Sequence, residues 1–357
     1  MRRLYETRHI PAARRLAAWL LAAVFSLSLC AQSAWASPAV SAERTVIPLG
    51  KAVGIKLFAA GVLVVGLADG DTPARTCGLR QGDIITAMDG TAIDSTEQVQ
   101  SLLAEAAGQE TTLTVRRGSS TLALSACARP GAGGAWQLGA WIRDSMAGIG
   151  TLTYYDPATG QYGALGHGIT DVDTAQLMPL ASGSIMETTV KAVKKGRKGD
   201  PGELKGDFSV QRDVGTVTVN SDGGIFGTVA DGEFLSGGTP VPVATAQQVK
   251  TGRATILATI SGSDTAEYQV EIVRLYGADE PTRNMLLRIT DPRLLSATGG
   301  IVQGMSGSPI IQDGRLVGAV THVFVNDPTH GYGIFAETML RTLQETAEKR
   351  ADQQKVS

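Results

Sequence analysis

The stretch GGIVQGMSGSPII, residues 299–311, places a serine in a glycine-rich turn directly ahead of an apolar run. Ser306 lies between Met305 and Gly307, and glycine permits backbone conformations that other residues resist. A hydroxyl in such a turn could attack a carbonyl carbon, but serine is a weak nucleophile that needs an adjacent base. The stretch therefore indicates either a nucleophile turn or an ordinary tight turn, depending on whether a histidine partner exists.

The chain has four histidines, and they differ in their local sequence. His9 lies in a basic N-terminal segment, His322 lies inside a strand-like run and is interpreted as a core or sheet-face residue, and His330 is predicted to lie in a loop. His167 has glycines on both sides in the stretch GALGHGITD, which is typical of a base held at a strand end beside a cleft. We therefore expect His167 to be the partner of Ser306.

The residues around the serine favour one known turn over another. The hydrolase elbow Gly-x-Ser-x-Gly is not matched, because Ser308 stands where the second glycine would be. The stretch GMSGSP is instead similar to the Gly-Asp-Ser-Gly-Gly-Pro turn of chymotrypsin-like proteases, which also have their histidine before their serine. This resemblance implies that the oxyanion-hole donors are the N–H groups of Gly304 and Ser306. Removing one such donor typically costs about 2.7–4 kcal/mol of barrier.

The elements that would position these residues are mostly strands. Strand-like runs in the larger, C-terminal part of the chain are GTVTVN, ATILATI, AEYQVEIVRL and RLVGAVTHVF, and turn signals separate them. In the third run, Tyr268, Val270 and Ile272 alternate with polar residues, as in a strand with one buried face. Within this larger part, only residues 337–349 are clearly helical. With 43 glycines and 5% aromatic residues, this pattern predicts a mainly β protein built as a pair of barrels or a sandwich.

A second set of motifs lies at residues 73–90, in the stretch PARTCGLRQGDIITAMDG. It combines Ala-x-x-x-Gly-Leu with a Gly-Asp turn and an Asp-Gly turn. A helix is predicted from Ser95 to Ala107, because Ser95 and Gln98 fit a capping box, and TTLTVRRGSSTLAL then predicts a hairpin. This order resembles the PDZ domain of bacterial proteases, and we expect that domain at residues 46–127.

A PDZ domain binds an extended peptide by adding it as a strand to a sheet edge beside a helix. By this resemblance, the loop whose N–H groups receive the peptide carboxylate is expected at Gly54, Ile55, Lys56 and Leu57. The alternative is that this stretch is only the beginning of a strand.

The N-terminus has the features of an export signal. Five arginines precede an apolar run at residues 16–31, and Ala-Trp-Ala follows at residues 34–36. Residues 1–36 are therefore predicted to be a signal peptide or an N-terminal membrane anchor, which places the rest of the protein outside the cytoplasm. The net charge of −2, from 32 basic and 34 acidic residues, gives no indication of nucleic-acid binding.

Three smaller features complete the organisation of the chain. The stretch RPGAGG predicts a linker at residues 128–134, which leaves a larger domain at residues 135–350. Cys77 and Cys127 could pair outside the cytosol, although two separate thiols fit equally well. No spacing resembles a zinc site, so no metal or other cofactor is expected. The basic run KKGRK, residues 194–198, is predicted to be a surface loop.

Three long segments together indicate a family. GALGHGITDVDT, KKGRKGDPGE and RITDPRLLSATGGIVQGMSGSPIIQDGRLVGAVTHVFVNDPTHGYGIF are similar to stage IV sporulation protein B, the serine peptidase family of spore-forming Firmicutes. The resemblance covers nearly the whole chain after the N-terminal segment. It implies a PDZ domain followed by a chymotrypsin-like double β-barrel, with Ser306 as nucleophile, His167 as general base and Asp291 as the residue that orients the imidazole.

The resemblance also implies a regulatory role. Members of this family are exported from the forespore into the space between the forespore and mother-cell membranes. They cleave themselves and cut a membrane-bound regulator of an intramembrane protease, which triggers processing of a sigma factor. The expected partners are therefore a protein or peptide substrate and the chain's own N-terminal segment.

Some alternatives stay open at this point. Asp291 precedes Pro292 and could simply begin a helix, whereas Asp222 lies at an interval after His167 closer to that of chymotrypsin. The chain could also be a non-catalytic binding protein whose PDZ domain carries a degenerate barrel, or a general quality-control protease of the cell envelope.

Overall fold

The structure is a computed structural model that describes residues 44–230, 232–235, 238–277 and 280–356. The predicted targeting segment at residues 1–36 lies outside the described residues. Within these ranges no helix is both long enough and apolar enough to cross a bilayer.

Most of the described chain is β-structure. The strands are β1 (Thr45–Pro48), β2 (Ala52–Leu67), β3 (Ile84–Met88), β4 (Thr91–Ala92), β5 (Glu110–Arg117), β6 (Ser120–Cys127), β7 (Arg129–Pro130), β8 (Trp136–Gln137), β9 (Ala140–Asp156), β10 (Gln161–Ala164), β11 (Leu180–Lys194), β12 (Glu203–Ser221), β13 (Gly224–Val229), β14 (Val241–Pro242), β15 (Gly252–Ala258), β16 (Ala266–Leu275), β17 (Met285–Ile289), β18 (Pro309–Gln312), β19 (Arg315–Phe324) and β20 (Asp327–Phe335). The helices are α1 (Pro73–Thr76), α2 (Thr96–Ala106), α3 (Pro292–Thr298) and α4 (Ala336–Val356).

The first barrel is a ring of antiparallel strands in the order β9, β10, β13, β12, β11 and β2, and pairing between β2 and β9 closes it. Apolar side chains from every part of the ring fill its interior, among them Leu57, Leu152, Ile185 and Ile225, all of them buried. Because side chains alternate across a strand, each strand can line this core with one face only.

The second barrel is closed in the order β15, β16, β17, β20, β19 and β18. Its third predicted run, AEYQVEIVRL, forms β16, and the alternation of Tyr268, Val270 and Ile272 with more exposed residues is confirmed. Helix α4 packs its apolar side chains, including Met339 and Leu343, against β19 and β20. The mainly β fold with two barrels is thus confirmed, and the sandwich alternative is not.

The PDZ domain contains the C-terminal part of β2, α1, β3, β4, α2, β5 and β6. Helix α2 begins as the sequence indicates, because Ser95 Oγ accepts a hydrogen bond from Gln98 N at 3.3 Å. The Gln98 side chain accepts from Asp94 N and not from Ser95 N, so only half of the expected capping box forms. Val99 and Leu103 on α2 face the PDZ core.

Strands β2 and β9 belong to both domains. Residues 46–58, assigned from sequence to the PDZ domain, pair with β9 and β11 of the first barrel and with β14. Gly54, Ile55, Lys56 and Leu57 lie in the middle of β2, with β9 along one edge and β11 along the other. Their main-chain groups are used by these two ladders, so the expectation that they receive a peptide carboxylate is contradicted.

The predicted linker is partly ordered by its own pairing. Its Arg129–Pro130 segment forms β7, which pairs with β8 just before β9 begins. Cys127, at the end of β6, is exposed, and neither it nor Cys77 forms a disulfide. The two domains are therefore joined by the shared strands β2 and β9 in addition to this segment.

Candidate active site and peptide groove

The loop around Ser306 is held by both barrels. Thr151 on β9 donates twice to it, from its N–H to the Ser306 carbonyl at 3.0 Å and from its hydroxyl to the Gly304 carbonyl at 2.7 Å. From the second barrel, the carbonyl of Val320 on β19 accepts from Gly307 N at 2.7 Å. The loop around Ser306, which we call the nucleophile loop after its predicted role, is thus fixed at the junction of the two barrels.

The two glycines around the serine have backbone angles that other residues avoid. Gly304 and Gly307 both have φ of +98°, in the left-handed region where glycine has no steric cost. Neither the Gly304 nor the Ser306 amide donates a hydrogen bond to another described residue. Both predicted oxyanion donors are therefore free to bind a substrate oxygen.

The segment that precedes the nucleophile loop is hydrogen-bonded to the basic run at residues 194–198 and to Gly202 that follows it. The Gly196 amide donates to the Thr298 carbonyl at 2.8 Å, and the Gln303 amide donates to the Gly202 carbonyl at 3.1 Å. Lys195 also reaches the Ser296 carbonyl at the end of α3, at 2.5 Å. The predicted surface loop at residues 194–198 therefore stabilises the segment before Ser306, which its basic composition did not indicate.

His167 follows β10 through a sharp change of direction. Leu165 and Gly166 have φ of +68° and +69°, and a left-handed leucine is strained, at a cost of about 1–3 kcal/mol. This turn carries the histidine ring to the wall of a cleft of about 430 Å³ that Ser306, Gly304 and Thr321 also line. The structure thus brings the two residues singled out as nucleophile and base into one cleft.

The hydrogen bond of His167 defines which ring nitrogen can act as a base. Nδ1 lies 2.9 Å from the Gly168 carbonyl oxygen, and since a carbonyl only accepts, Nδ1 carries the hydrogen. Nε2 is left with its lone pair, as a general base requires. Burial lowers the pKa of His167 below its usual value, while the Gly168 carbonyl acts in the opposite direction.

The pH dependence of kcat/KM follows from this pKa. Only the neutral imidazole can accept a proton, so activity should be lost as pH falls through the His167 pKa of the free enzyme. Because burial depresses that pKa, we expect the acid midpoint of kcat/KM below about 6.5, the ordinary histidine value. The measurement is a pH–rate profile with a neutral peptide substrate. An acid midpoint at or above 6.5 would contradict the assignment of a buried His167 as base.

The Ser306 hydroxyl is not directed at His167 in this structure. It donates to the Thr321 carbonyl on β19 at 2.6 Å. A rotation about one side-chain bond is needed before the hydroxyl can give its proton to His167. Catalytic hydrogen bonds are often absent in unliganded enzymes and form when substrate binds.

Asp291 lies elsewhere. It is the N-cap of α3, and its buried carboxylate accepts from Arg293 N at 2.9 Å, from the Arg293 guanidinium at 2.8 and 3.1 Å, and from Gln269 N at 3.2 Å. These hydrogen bonds, that of Arg293 foremost, hold the pKa of Asp291 well below its usual value. The structure does not join Asp291 to His167; it gives Asp291 the helix-start role that Pro292 indicated.

No carboxylate hydrogen-bonds to His167 anywhere in the described ranges. Asp222 is exposed in the turn between β12 and β13, so it does not replace Asp291. Asp171 and Asp173 are close in sequence but bind Arg143 instead, at 2.5 and 2.7 Å. The group that hydrogen-bonds to His167 Nδ1 is instead the main-chain carbonyl of Gly168.

His322 is the residue that sequence reasoning missed. It lies on β19 next to Thr321, and its ring centroid is 4.9 Å from that of His167, with the planes tilted by 37°. An isolated histidine in an apolar strand gives no signal of such a contact. His330 lies in β20, not in a loop, and pairs with Asp327 at 2.7 Å.

The PDZ domain has a second cavity, of about 420 Å³, between α2 and the beginning of β9. Val99 and Leu103 line one wall, and Leu138, Ala140 and Ile142 line the other. Residues 140–143 pair with β2 along one edge only, so within the described residues the edge beside α2 is open. A sheet edge beside a helix is the arrangement that accepts an added peptide strand.

The turn before β9 leaves two main-chain amides unpaired within the described residues. Gly139 has φ of +76°, and the carbonyls of Leu138 and Gly139 accept from Ala74 N and Ala68 N at 2.8 and 2.9 Å. The Leu138 and Gly139 amides donate to no other described residue. The sequence of this turn is Gln-Leu-Gly-Ala at residues 137–140. It follows the predicted linker and was therefore not considered as part of the PDZ domain.

Comparison with solved structures gives distant likenesses. The Rv3671c protease of Mycobacterium tuberculosis in its active form is 18% identical, with 57% of this chain and 74% of that chain covered and a TM-score of 0.30. Its inactive form is also 18% identical, with 56% of this chain and 84% of that chain covered and a TM-score of 0.32. The PDZ domain of the SdrC-like protein of Listeria monocytogenes is 22% identical, with 23% and 87% covered and a TM-score of 0.21.

Comparison with curated proteins gave no significant match. Comparison with protein families gave two matches on consecutive parts of the chain. Residues 64–117 match a PDZ domain, in agreement with the sheet and helix described above. Residues 134–340, more than half of the chain, match the SpoIVB peptidase S55 family, and this stretch includes Ser306 and His167. The chain therefore belongs to the SpoIVB peptidase S55 family of serine peptidases and carries a PDZ domain ahead of its catalytic barrels.

Proposed function

We propose that the protein is a secreted regulatory serine endopeptidase with Ser306 as nucleophile and His167 as general base. The observation that carries the proposal is one cleft lined by the Ser306 hydroxyl, the His167 ring and the nucleophile loop, with the Gly304 and Ser306 amides unpaired. Membership of a peptidase family supports it and leaves little ground for the non-catalytic alternative.

The reaction begins when the Ser306 hydroxyl turns away from the Thr321 carbonyl. His167 Nε2 takes its proton as Oγ attacks the scissile carbonyl carbon, and the oxyanion is bound by the Gly304 and Ser306 amides. His167 then gives the proton to the leaving amine, and the C–N bond breaks to leave an acyl-enzyme. Water, deprotonated by His167, releases the acyl group and restores the serine.

In this proposal, Asp291 has a structural role and takes no part in the proton transfers. Its carboxylate caps α3 and binds Gln269 on β16, and α3 leads directly into the nucleophile segment. The Gly168 carbonyl stabilises the Nδ1–H of His167 in both its neutral and its charged form. If substrate binding brought Asp291 to the ring, its Arg293 partner would have to be released first.

The biological role that we propose follows the family. The protein would be exported to the space between the forespore and mother-cell membranes, cleave its own N-terminal segment and cut a membrane-bound regulator that controls sigma-factor processing in sporulation. The cleft is bordered by residues 146–149 of β9, which pair with β2 along one edge, and a strand beside a cleft suits an extended peptide.

Self-cleavage is tested by mass spectrometry of the purified chain over time. We expect the wild-type chain to lose N-terminal residues and the Ser306→Ala chain to stay intact, and the new terminus locates the cut bond. Equal processing of both chains would contradict the proposal. A panel of unfolded proteins is the second arm, and their indiscriminate cleavage would favour envelope quality control over signalling.

We further propose that the cavity between α2 and β9 binds a peptide with a free C-terminal carboxylate. The peptide would add to the open edge at residues 140–142, its carboxylate would bind the Leu138 and Gly139 amides, and its last side chain would enter the apolar space beside Leu103. Unpaired amides in a tight turn favour an anion, and the walls of the cavity carry no charged side chain.

Peptide binding to this groove gives a direct test. A peptide with a free carboxylate should bind at least about tenfold more tightly than the same peptide amidated, because hydrogen bonds to a charged group are worth about 1.5–3 kcal/mol. Gln100→Glu, which puts a negative charge on the groove wall, should weaken binding, and Ser101→Glu, on an exposed position of α2 outside the groove, should not. Isothermal titration measures both, and equal affinities for acid and amide would reject the groove as a carboxylate site.

A further inference from the structure

A β-bulge brings His322 to the active-site cleft. In the pairing of β19 with β20, Val320 lies opposite Gly333 and Val323 lies opposite Gly331. Two residues of β19, Thr321 and His322, therefore face a single residue of β20. Bulges are common beside active sites, where they change the direction of a side chain. Here the bulge supplies both the carbonyl that holds the Ser306 hydroxyl and the imidazole beside His167.

His322 has a polar atom without a partner. Its Nδ1 is buried and makes no hydrogen bond to any residue that the structure describes, which is unusual because a buried polar atom without a partner costs stability. The imidazole ring of His322 contacts the ring of His167, and their centroids are 4.9 Å apart. An apolar residue of the same shape would avoid this cost, so the imidazole needs an explanation other than packing.

The charges around His322 keep it neutral. Burial, then the proximity of His167 and of Arg283, lowers the pKa of His322 to about 4. Among the described residues, His167 from the loop after β10 and Arg283 from the segment before β17 are the groups that act on its charge. At neutral pH, His322 is therefore an uncharged dipole next to the group that becomes positive in the reaction.

We propose that His322 is a positioning residue that stabilises the imidazolium form of His167. When His167 takes the proton of Ser306, its ring becomes positive. The His322 ring contacts the His167 ring, and because its Nδ1 makes no hydrogen bond to another described residue, the dipole of the neutral ring can turn toward that charge without breaking one. A carboxylate has this task in a Ser-His-Asp triad, and here the carboxylate of Asp291 is occupied by Arg293. The inference rests on the proposed roles of Ser306 and His167.

The test compares two substitutions of His322 with a control on the next strand. His322→Phe keeps a ring but removes both nitrogens, and His322→Asn places an amide oxygen close to the position of Nδ1. His330→Phe is the control, because His330 on β20 binds Asp327 and does not line the cleft. The readouts are kcat and KM across pH, the melting temperature, and the fraction of chains that a fluorophosphonate labels at Ser306.

We expect His322→Phe to lower kcat about 10-fold, because a neighbouring dipole stabilises a charge less than a direct hydrogen bond does, with KM little changed. Loss of a group that favours imidazolium also lowers the His167 pKa, so the acid midpoint of kcat/KM should move to lower pH. His322→Asn should recover part of kcat, and His330→Phe should change neither quantity.

Two results would overturn the inference. One is a His322→Phe enzyme with wild-type kcat and an unchanged acid midpoint. The other is a loss of activity that follows the melting temperature alone, with normal kcat per labelled chain, since that shows a packing role. Should His322→Phe fail to fold, His322→Leu, which also removes both nitrogens, takes its place, and a wild-type kcat with an unchanged acid midpoint would again overturn the inference. Failure of the proposed function is distinguished by the wild-type chain, which would then show no label at Ser306.

Discussion

Replacing Ser306 with alanine is expected to lower kcat/KM about 10⁶-fold, and adding His167→Gln to the same chain is expected to lower it no further. A nucleophile and its base act as a unit, so removing either one removes nearly all that the pair contributes. Stability should change little, because the Ser306 hydroxyl makes one hydrogen bond, to the Thr321 carbonyl, worth about 1 kcal/mol. The measurement is kcat/KM for the two single variants and the double variant on one peptide substrate.

Ser308 offers a matched control for this experiment. It lies two residues further along the same loop, and its buried hydroxyl has no hydrogen-bond partner, so Ser308→Ala should leave both activity and stability near wild type. Losses that multiply in the double variant would show that Ser306 and His167 act independently, which contradicts a nucleophile–base pair.

Gly307→Ala is expected to destabilise the protein by about 2–4 kcal/mol and to inactivate the molecules that remain folded. Gly307 has φ of +98°, and a Cβ there would lie 2.0 Å from the Thr151 carbonyl oxygen and 2.6 Å from Leu165 N. Both atoms belong to the backbone, so the loop itself must move. Thr151 also fixes the Gly304 and Ser306 carbonyls, and the oxyanion donors move with it.

Gly314→Ala is the control for backbone strain alone. Gly314 also has a positive φ, of +73°, but a Cβ there meets open space, so about 1 kcal/mol of stability and no activity should be lost. Urea unfolding gives the stability, and active-site titration followed by kcat gives the activity of the folded fraction. If Gly307→Ala costs no more than Gly314→Ala, the close packing of the nucleophile loop on β9 is wrong.

The sequence predicted the features that depend on neighbouring residues. The alternation in β16, the cap at Ser95 and the end of the chain as a helix are local, and they are confirmed. The long strand β2 was not predicted as one element, because its stretch GIKLFAAGVLVVG contains glycines that resemble a boundary. Its continuity is set by non-local pairing with β9 and β11, which local patterns do not show.

The site residues that could be predicted are those marked by the residues next to them in the sequence. Glycines on both sides of His167 and around Ser306 mark backbone that must turn tightly, and the structure places both residues in one cleft. The contact of His322 with His167 depends on a bulge in the register of β19 and β20, which the sequence does not reveal. For Asp291, the following Pro292 and Arg293 were a local sign of a helix cap.

The groove of the PDZ domain illustrates the same limit. Its helix was predicted, but the strand beside that helix comes from the first residues of the catalytic part, after the predicted linker. The strand β9 continues from this groove to Thr151, which holds the nucleophile loop. The proposed peptide groove and the loop that carries Ser306 therefore contact two parts of one strand.

Covalent labelling with a fluorophosphonate, followed by peptide mapping, tests most directly whether Ser306 is a nucleophile activated by His167. We predict a single phosphonyl adduct on the peptide that contains Ser306 in the wild-type chain, and its disappearance in the His167→Gln chain when the latter is equally well folded. An adduct on a different serine, or labelling of Ser306 that is unchanged by His167→Gln, would contradict the account.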